Sequence, residues 1–251
     1  MERETNLNVP NAKNVPFRRF IPNFVTIFAL CAGLTAVREG FTGNFGNALG
    51  LLMLAAILDG LDGKLARMLN SASQFGAELD TLADFFNFGI APTIVLYLMF
   101  FAGTEFANLG WLALIIFTIS CMMRLARFNV ALLEDDDSPK DSRFFVGVPA
   151  PALACLGFLP AFLFMAGWNG IANYPVLIAI YIIGAGALAV SRIPTISVKH
   201  ITIEPRYQFW LFLGVVLCLL ILTVFPWHML ALVDLLYLAT LPISWAKSRK
   251  T

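Results

Sequence analysis

Eight apolar runs occupy most of this chain, each close to the roughly 17–25 residues that a helix needs to cross a hydrocarbon core of about 30 Å. They cover 22–38, 45–68, 74–101, 109–130, 148–166, 174–191, 207–225 and 228–246. Backbone in lipid must satisfy its own N–H and C=O groups, so runs of this length predict transmembrane α-helices. The expected fold is all-α and polytopic, with the last two runs leaving open a hairpin that dips only partway. Charged residues make up 13% of the chain, against roughly 25% in an ordinary soluble domain, which excludes a water-soluble fold.

If both termini face the cytoplasm, every one of the 17 Lys and Arg residues except Arg38 falls on the cytoplasmic side or at that end of a span. That asymmetry sets the expected orientation. The outer connections, near 40–43, 103–108, 167–173 and 226–227, are short and nearly uncharged, whereas the inner ones include 134–143 and 192–206. Water-soluble chemistry is therefore expected on the inner face. The first nineteen residues show no removable signal peptide. There Val15, Phe17 and Phe20 alternate with Lys13, Arg18 and Arg19, a pattern that fits a short interfacial helix or a plain basic anchor.

A net charge of +1, without basic clusters interleaved with aromatics, argues against nucleic-acid binding. Cys31, Cys121, Cys155 and Cys218 stand singly in apolar runs, as packing residues do, and do not form a zinc site. The acidic run at 134–137 reads as a solvated loop before it reads as a calcium or partner site. With no internal repeat or low-complexity linker, the chain is one domain.

Asp59, Asp62, Asp80 and Asp84 stand at the ends of two otherwise apolar helices. Ionisable groups at membrane depth are costly and so mark function. Asp59 and Asp62 are three apart and Asp80 and Asp84 four apart, so each pair shares one face of its helix. Turned toward each other, the two faces make an oxygen cage. Four carboxylates cannot all stay ionised there unless cations neutralise them, since repulsion and desolvation both oppose the charged form. Oxygen-only ligands favour Mg²⁺ or Mn²⁺ over zinc, and two such ions can clamp a diphosphate. Gly63 and Gly76 either admit a nucleotide close to the backbone or allow tight helix packing, and Arg67 presents a planar fork to phosphate oxygens.

Together these residues read Asp59-x2-Asp62-Gly63-x2-Ala66-Arg67-x8-Gly76-x3-Asp80-x3-Asp84, which resembles the full signature of the CDP-alcohol phosphotransferase family. The resemblance implies a six-helix catalytic core with two spans added after it. The chain then divides into a cytoplasmic segment at 1–21, a catalytic membrane core at 22–200, and two further spans with a basic tail at 201–251. It also implies two divalent cations, Mg²⁺ or Mn²⁺, held by Asp59, Asp62, Asp80 and Asp84, with Asp84 doubling as the general base. Asn23, Thr26, Gly63, Arg67, Ser73 and Gly76 match positions that contact the CDP-linked donor, and CMP is the product released. The family commonly forms homodimers, and the setting implied is a bacterial inner membrane.

Further stretches are similar to the serine-using bacterial members of the family. They are Leu82-Ala83-Asp84 with Phe88-Gly89-Ile90-Ala91-Pro92, then Arg124-Leu125-Ala126-Arg127-Phe128-Asn129, then Gly147-Val148-Pro149-Ala150-Pro151-Ala152, and Ser191-x2-Pro194-Thr195-x-Ser197-x-Lys199. Thr81, Asn87 and Val148 depart from that pattern. The substrates so implied are CDP-diacylglycerol, a membrane lipid, and L-serine. A serine carboxylate needs cationic donors, for which Arg suits bidentate binding. Arg124, Arg127, Asn129 and Lys199 are the acceptor-site candidates, against the alternative that the cations only anchor the inner face. Glu78 is a candidate for the serine ammonium. Rival readings are a relative using glycerol phosphate, inositol or choline and, more distantly, an ion-coupled transporter.

Overall fold

The structure, a computed structural model, describes residues 20–69, 71, 73–133, 144–146, 150–191, 194–196, 206 and 208–248. The expected interfacial segment before Phe20 and the acidic loop at 134–143 lie outside these residues. Eight helices follow one another: α1 (Ile21–Phe41), α2 (Phe45–Met68), α3 (Gln74–Phe100), α4 (Ala107–Leu133), α5 (Ala150–Met165), α6 (Pro175–Val190), α7 (Gln208–Val224) and α8 (Pro226–Ser248). These match the eight apolar runs to within a few residues, and the chain is an all-α polytopic membrane protein.

Local chemistry explains the ends. Proline occupies the first turn of α1 and α6, where its missing N–H costs nothing and its fixed φ suits the helix. Gly43, Gly103 and Gly167 take φ of 79°, 74° and 100° in the connections after α1, α3 and α5, a region that glycine enters without steric cost. α1, α3 and most of α4 are long and apolar enough to cross a membrane on their own. α2 is as long, but carries Asp59, Asp62, Lys64 and Arg67 in its last three turns. Its polar end is the start of the site.

α3 is not a uniform helix. Pro92 offers no N–H to the carbonyl of Phe88 and its ring crowds that carbonyl. The chain answers with a π-turn over Phe86–Ile90, closed by the Ala91 N–H to the Phe86 carbonyl. The wider turn shifts the helical phase, so the Asp80 and Asp84 half can face one set of neighbours and the apolar half another. Thr118 of α4 pins the turn from outside, its hydroxyl donating to Gly89 O at 3.3 Å.

α1 packs along α2 and against α3, α4 along α6, and α5 against α6 and α8. Phe88, Phe101, Phe117, Phe158 and Phe162 are the largest fully buried side chains and knit α3, α4 and α5 together. α7 packs mainly on α8, and Phe209, Trp210, Phe212 and Leu220 on it remain exposed, as lipid-facing residues should. One feature departs from an all-helical reading. Phe144–Val146 (β1) and Pro194–Ile196 (β2) pair antiparallel, with Phe145 opposite Thr195. Both segments lie in connections between helices, and a short ladder satisfies backbone groups that a bare loop would leave to water.

A methyl group on Gly110 would overlap the ring of Phe101, which is fully buried and has no room to move. Gly110→Ala should therefore destabilise the protein by about 1–3 kcal/mol, read as a lower thermal midpoint in detergent. An unchanged midpoint would mean that α3 and α4 do not meet so closely.

Candidate metal and nucleotide site

The last turns of α2 and the first turns of α3 set the two carboxylate-bearing faces toward each other. One oxygen from each of Asp59, Asp62 and Asp80 lies within 4.8 Å of the others. Asp84, one turn deeper in α3, comes against Asp59. Asp62 is 3% exposed, and Oδ1 of Asp59 and Oδ1 of Asp84 are buried with no hydrogen-bond partner among the described residues. Buried carboxylate oxygens left unpaired are expensive. Converging oxygens of this kind fit a hard cation such as Mg²⁺ or Mn²⁺, which takes oxygen ligands.

α1 supplies the third wall. Thr26 Oγ1 donates to Asp62 Oδ2 at 2.6 Å and sits 3.1 Å from Pro22 O. The family resemblance implied a donor contact for Thr26, and the structure gives its hydroxyl a direct grip on a carboxylate. Fixing one oxygen of Asp62 leaves the other to be presented to a ligand.

Beside the carboxylates a cavity of about 390 Å³ opens between α1, α2 and the start of α3. All six residues expected to meet the donor line it: Asn23 and Thr26, Gly63 and Arg67, Ser73 and Gly76. Asp62 and Asp80 line it too, so carboxylates and cavity form one site. Gly63 separates the two readings left open for it, because a Cβ there would meet nothing within 4 Å. It is open to the cavity and not a packing glycine within this chain. At Gly76 a Cβ would stand 3.0 Å from Asn23 Oδ1 and 3.1 Å from Ser73 Oγ, so α1 approaches the first turn of α3 closely. Ser73 caps that turn, accepting from Gly76 N–H at 3.0 Å. Arg67 is tethered by Nε to Gly63 O at 3.2 Å.

The acceptor candidates are spread differently. Arg124 lies within electrostatic reach of Asp84. Arg127, three residues on, instead donates through Nη2 to Val190 O at 2.9 Å, where it meets the last carbonyls of α6 and their negative dipole end. Asn129 donates to Thr81 Oγ1 at 3.1 Å and ties α4 to α3 beside Asp80. Lys199 lies outside the described residues, and Glu78 is exposed. Of the two arginines, Arg127 is thus engaged by the end of α6.

Two groups in α8 escaped the sequence reading. Asp234 is 4% exposed and Tyr237 follows on the same face, each with a buried oxygen that has no partner among the described residues. A lone carboxylate inside an apolar run was the available signal.

The sequence profile of the CDP-alcohol phosphatidyltransferase family matches residues 19–189. A Mycobacterium leprae protein named CDP-diacylglycerol–serine O-phosphatidyltransferase is 36% identical over 241 residues, which cover 94% of this chain and 77% of that protein. Proteins of the same name from Mycobacterium tuberculosis H37Rv, at 32% over 235 residues (92% and 80% covered), and Helicobacter pylori 26695, at 33% over 229 residues (89% and 90% covered), are also similar.

If the carboxylates hold cations, Mn²⁺ at a hundredfold excess over its dissociation constant should stabilise the detergent-solubilised protein by about 2.7 kcal/mol per ion. Asp59→Asn should remove most of that gain while raising the midpoint of the metal-free protein, since one repelling charge is gone. Thr26→Val, which deletes only the hydroxyl, should weaken Mn²⁺ binding about tenfold. Equal metal-induced shifts in all three proteins would contradict the assignment.

Proposed function

The chain belongs to the CDP-alcohol phosphatidyltransferase family, and on that premise we propose that it transfers the phosphatidyl group of CDP-diacylglycerol to the hydroxyl of L-serine, giving phosphatidylserine and CMP. The observation that carries this reading is the carboxylate cluster on the wall of a cavity lined by every expected donor residue. Asp59, Asp62, Asp80 and Asp84 would hold two divalent cations, Mg²⁺ or Mn²⁺. When bound, these neutralise the diphosphate, polarise the phosphorus and stabilise the charge that builds on departing CMP.

The remaining chemistry falls to the protein. Thr26 orients Asp62. Gly63, lacking a side chain, lets the nucleotide approach α2, and Arg67 offers its guanidinium to phosphate oxygens. Asn23, Ser73 and Gly76 shape the cavity wall at the first turn of α3, whose N-terminal end favours negative charge. Asp84 takes the proton of the serine hydroxyl as that oxygen bonds to the lipid-linked phosphorus. The bond from this phosphorus to the bridging oxygen breaks, and CMP leaves with the electron pair. Arg124, near Asp84, holds the serine carboxylate, with Arg127, Asn129 and Lys199 supporting the inner rim.

The placement of Lys and Arg supports an inner-membrane enzyme with both termini and the active site facing the cytoplasm. The lipid tails then remain in the bilayer while serine arrives from water. Family resemblance supports a homodimer.

The test is CMP release by the purified protein supplied with CDP-diacylglycerol, Mg²⁺ or Mn²⁺, and serine, glycerol phosphate, inositol or choline in turn. Release should require serine and metal, and Asp84→Asn should lower it by about 10²–10⁴-fold. Metal-dependent release with another alcohol only would replace the acceptor, and no release with any alcohol would favour a transporter.

A further inference from the structure

Asn87 is the second residue of the π-turn in α3 and is 2% exposed. Among the described residues it alone has two polar atoms, Oδ1 and Nδ2, both buried without a hydrogen-bond partner. Native interiors rarely tolerate an amide that has given up water for nothing. Loose packing does not account for it. α1 makes room for the amide at Gly33, where a Cβ would overlap Asn87 Oδ1 and stand 3.3 Å from both its Cγ and the Phe86 ring. A polar side chain is thus held in a notch of the neighbouring helix, and the reaction described above gives it no task.

The helix determines what lies beside this amide. Asp80, Asp84 and Asn87 are spaced i, i+4 and i+7, which is one helical face. The Phe86 N–H bonds back to the Leu82 carbonyl, so the backbone is still α-helical as it passes from Asp84 toward Asn87. Side chains in a helix lean toward its N-terminus and cover the preceding turn, which inclines the Asn87 amide toward Asp84. There Oδ1 of the carboxylate is also buried without a partner among the described residues. An amide N–H donates and an ionised carboxylate only accepts, so the two unmet groups are complementary and one turn apart. We propose that Asn87 is a positioning residue for Asp84, its Nδ2 donating to Asp84 Oδ1 in the working enzyme and leaving the other oxygen free for the acceptor hydroxyl.

The inference rests on the reading of Asp84 as general base. A base is useful only when the lone pair that takes the proton points at the hydroxyl, and a carboxylate on a single bond can turn. Thr26 fixes Asp62 in this way from α1, and Asn87 does the same for Asp84 from within α3. A hydrogen bond to a charged acceptor is stronger than one between neutral groups. An apolar residue of equal size would fill the notch at Gly33 as well, but would leave Asp84 free to turn.

The experiment compares full-length wild type, Asn87→Leu and Asn87→Ser in detergent. CMP release is measured in mixed micelles with CDP-diacylglycerol, serine and saturating Mn²⁺, and the thermal midpoint is titrated with Mn²⁺ in the absence of substrate. Leucine keeps the bulk and removes both polar atoms, whereas serine keeps a donor that can act through one water. In Asn87→Leu, kcat should fall about tenfold to a hundredfold and the Mn²⁺ dissociation constant should rise about tenfold, with the KM for serine and for CDP-diacylglycerol near wild type. Its metal-free midpoint should not fall, because an unpaired buried amide gives way to an apolar group of similar shape. Asn87→Ser should recover most of both losses. Unchanged kcat and Mn²⁺ affinity in Asn87→Leu overturn the inference. So does a metal-free midpoint lowered in both variants with serine recovering nothing, which would mark a packing residue. If Asp84→Asn is as active as wild type, the general-base reading fails and this inference fails with it. If Asp84→Asn is inactive while Asn87→Leu matches wild type, only this inference fails.

Discussion

Mutual repulsion among four carboxylates, two on α2 and two on α3, is the constraint around which this end of the bundle is arranged. Three of them bring oxygens within 4.8 Å of one another, in a setting where low dielectric strengthens like-charge repulsion. A fold holds such a cluster together only if the rest of the scaffold fixes the helices that carry it. α1 does so by packing along α2 and by the Thr26 hydroxyl on Asp62. α3 does so through its capped first turn and through the π-turn that Pro92 demands. Behind these, the phenylalanine-rich core of α3, α4 and α5 sets the distance at which α3 can stand. A positive charge entering between them would offset that crowding, which is the physical basis for proposing the cluster as a cation site.

The spans were legible because a bilayer leaves backbone only one economical choice, and unbroken apolar length reports it directly. The carboxylate faces were legible for a related reason. Spacings of three and four fix a helical face whatever the tertiary contacts, so Asp59 with Asp62 and Asp80 with Asp84 were paired before any packing was known. The cavity lining, down to Gly63 and Ser73, was reached through the family resemblance of the motif and not through spacing. Contacts between distant elements were another matter. Arg124 and Arg127 share a spacing that reads as one face, but α6 ends beside Arg127 and claims it through the Val190 carbonyl. Thr26 could be placed near the donor, but not on Asp62, which is 36 residues away. The β1–β2 ladder joins two connections separated by α5 and α6, and neither segment carries a strand pattern long enough to stand out. Asp234 and Tyr237 were hidden for a different reason, since an i, i+3 pair of single polar residues in an apolar run has no motif around it.

Function in this architecture is divided by distance from the carboxylates. α1, α2 and the first turns of α3 form the cavity and the candidate metal ligands. α4 contributes Arg124 from the next layer, with α6 holding its neighbour Arg127 aside. α7 and much of the outer surface present apolar side chains to lipid.

The central claim is that the carboxylate cluster is a two-cation centre, and electron paramagnetic resonance of the purified protein titrated with Mn²⁺ tests it most directly. The account predicts a spin-coupled Mn²⁺ pair that builds to two ions per chain and is lost in Asp59→Asn. An uncoupled signal from isolated ions, or spectra unchanged by that substitution, would contradict it.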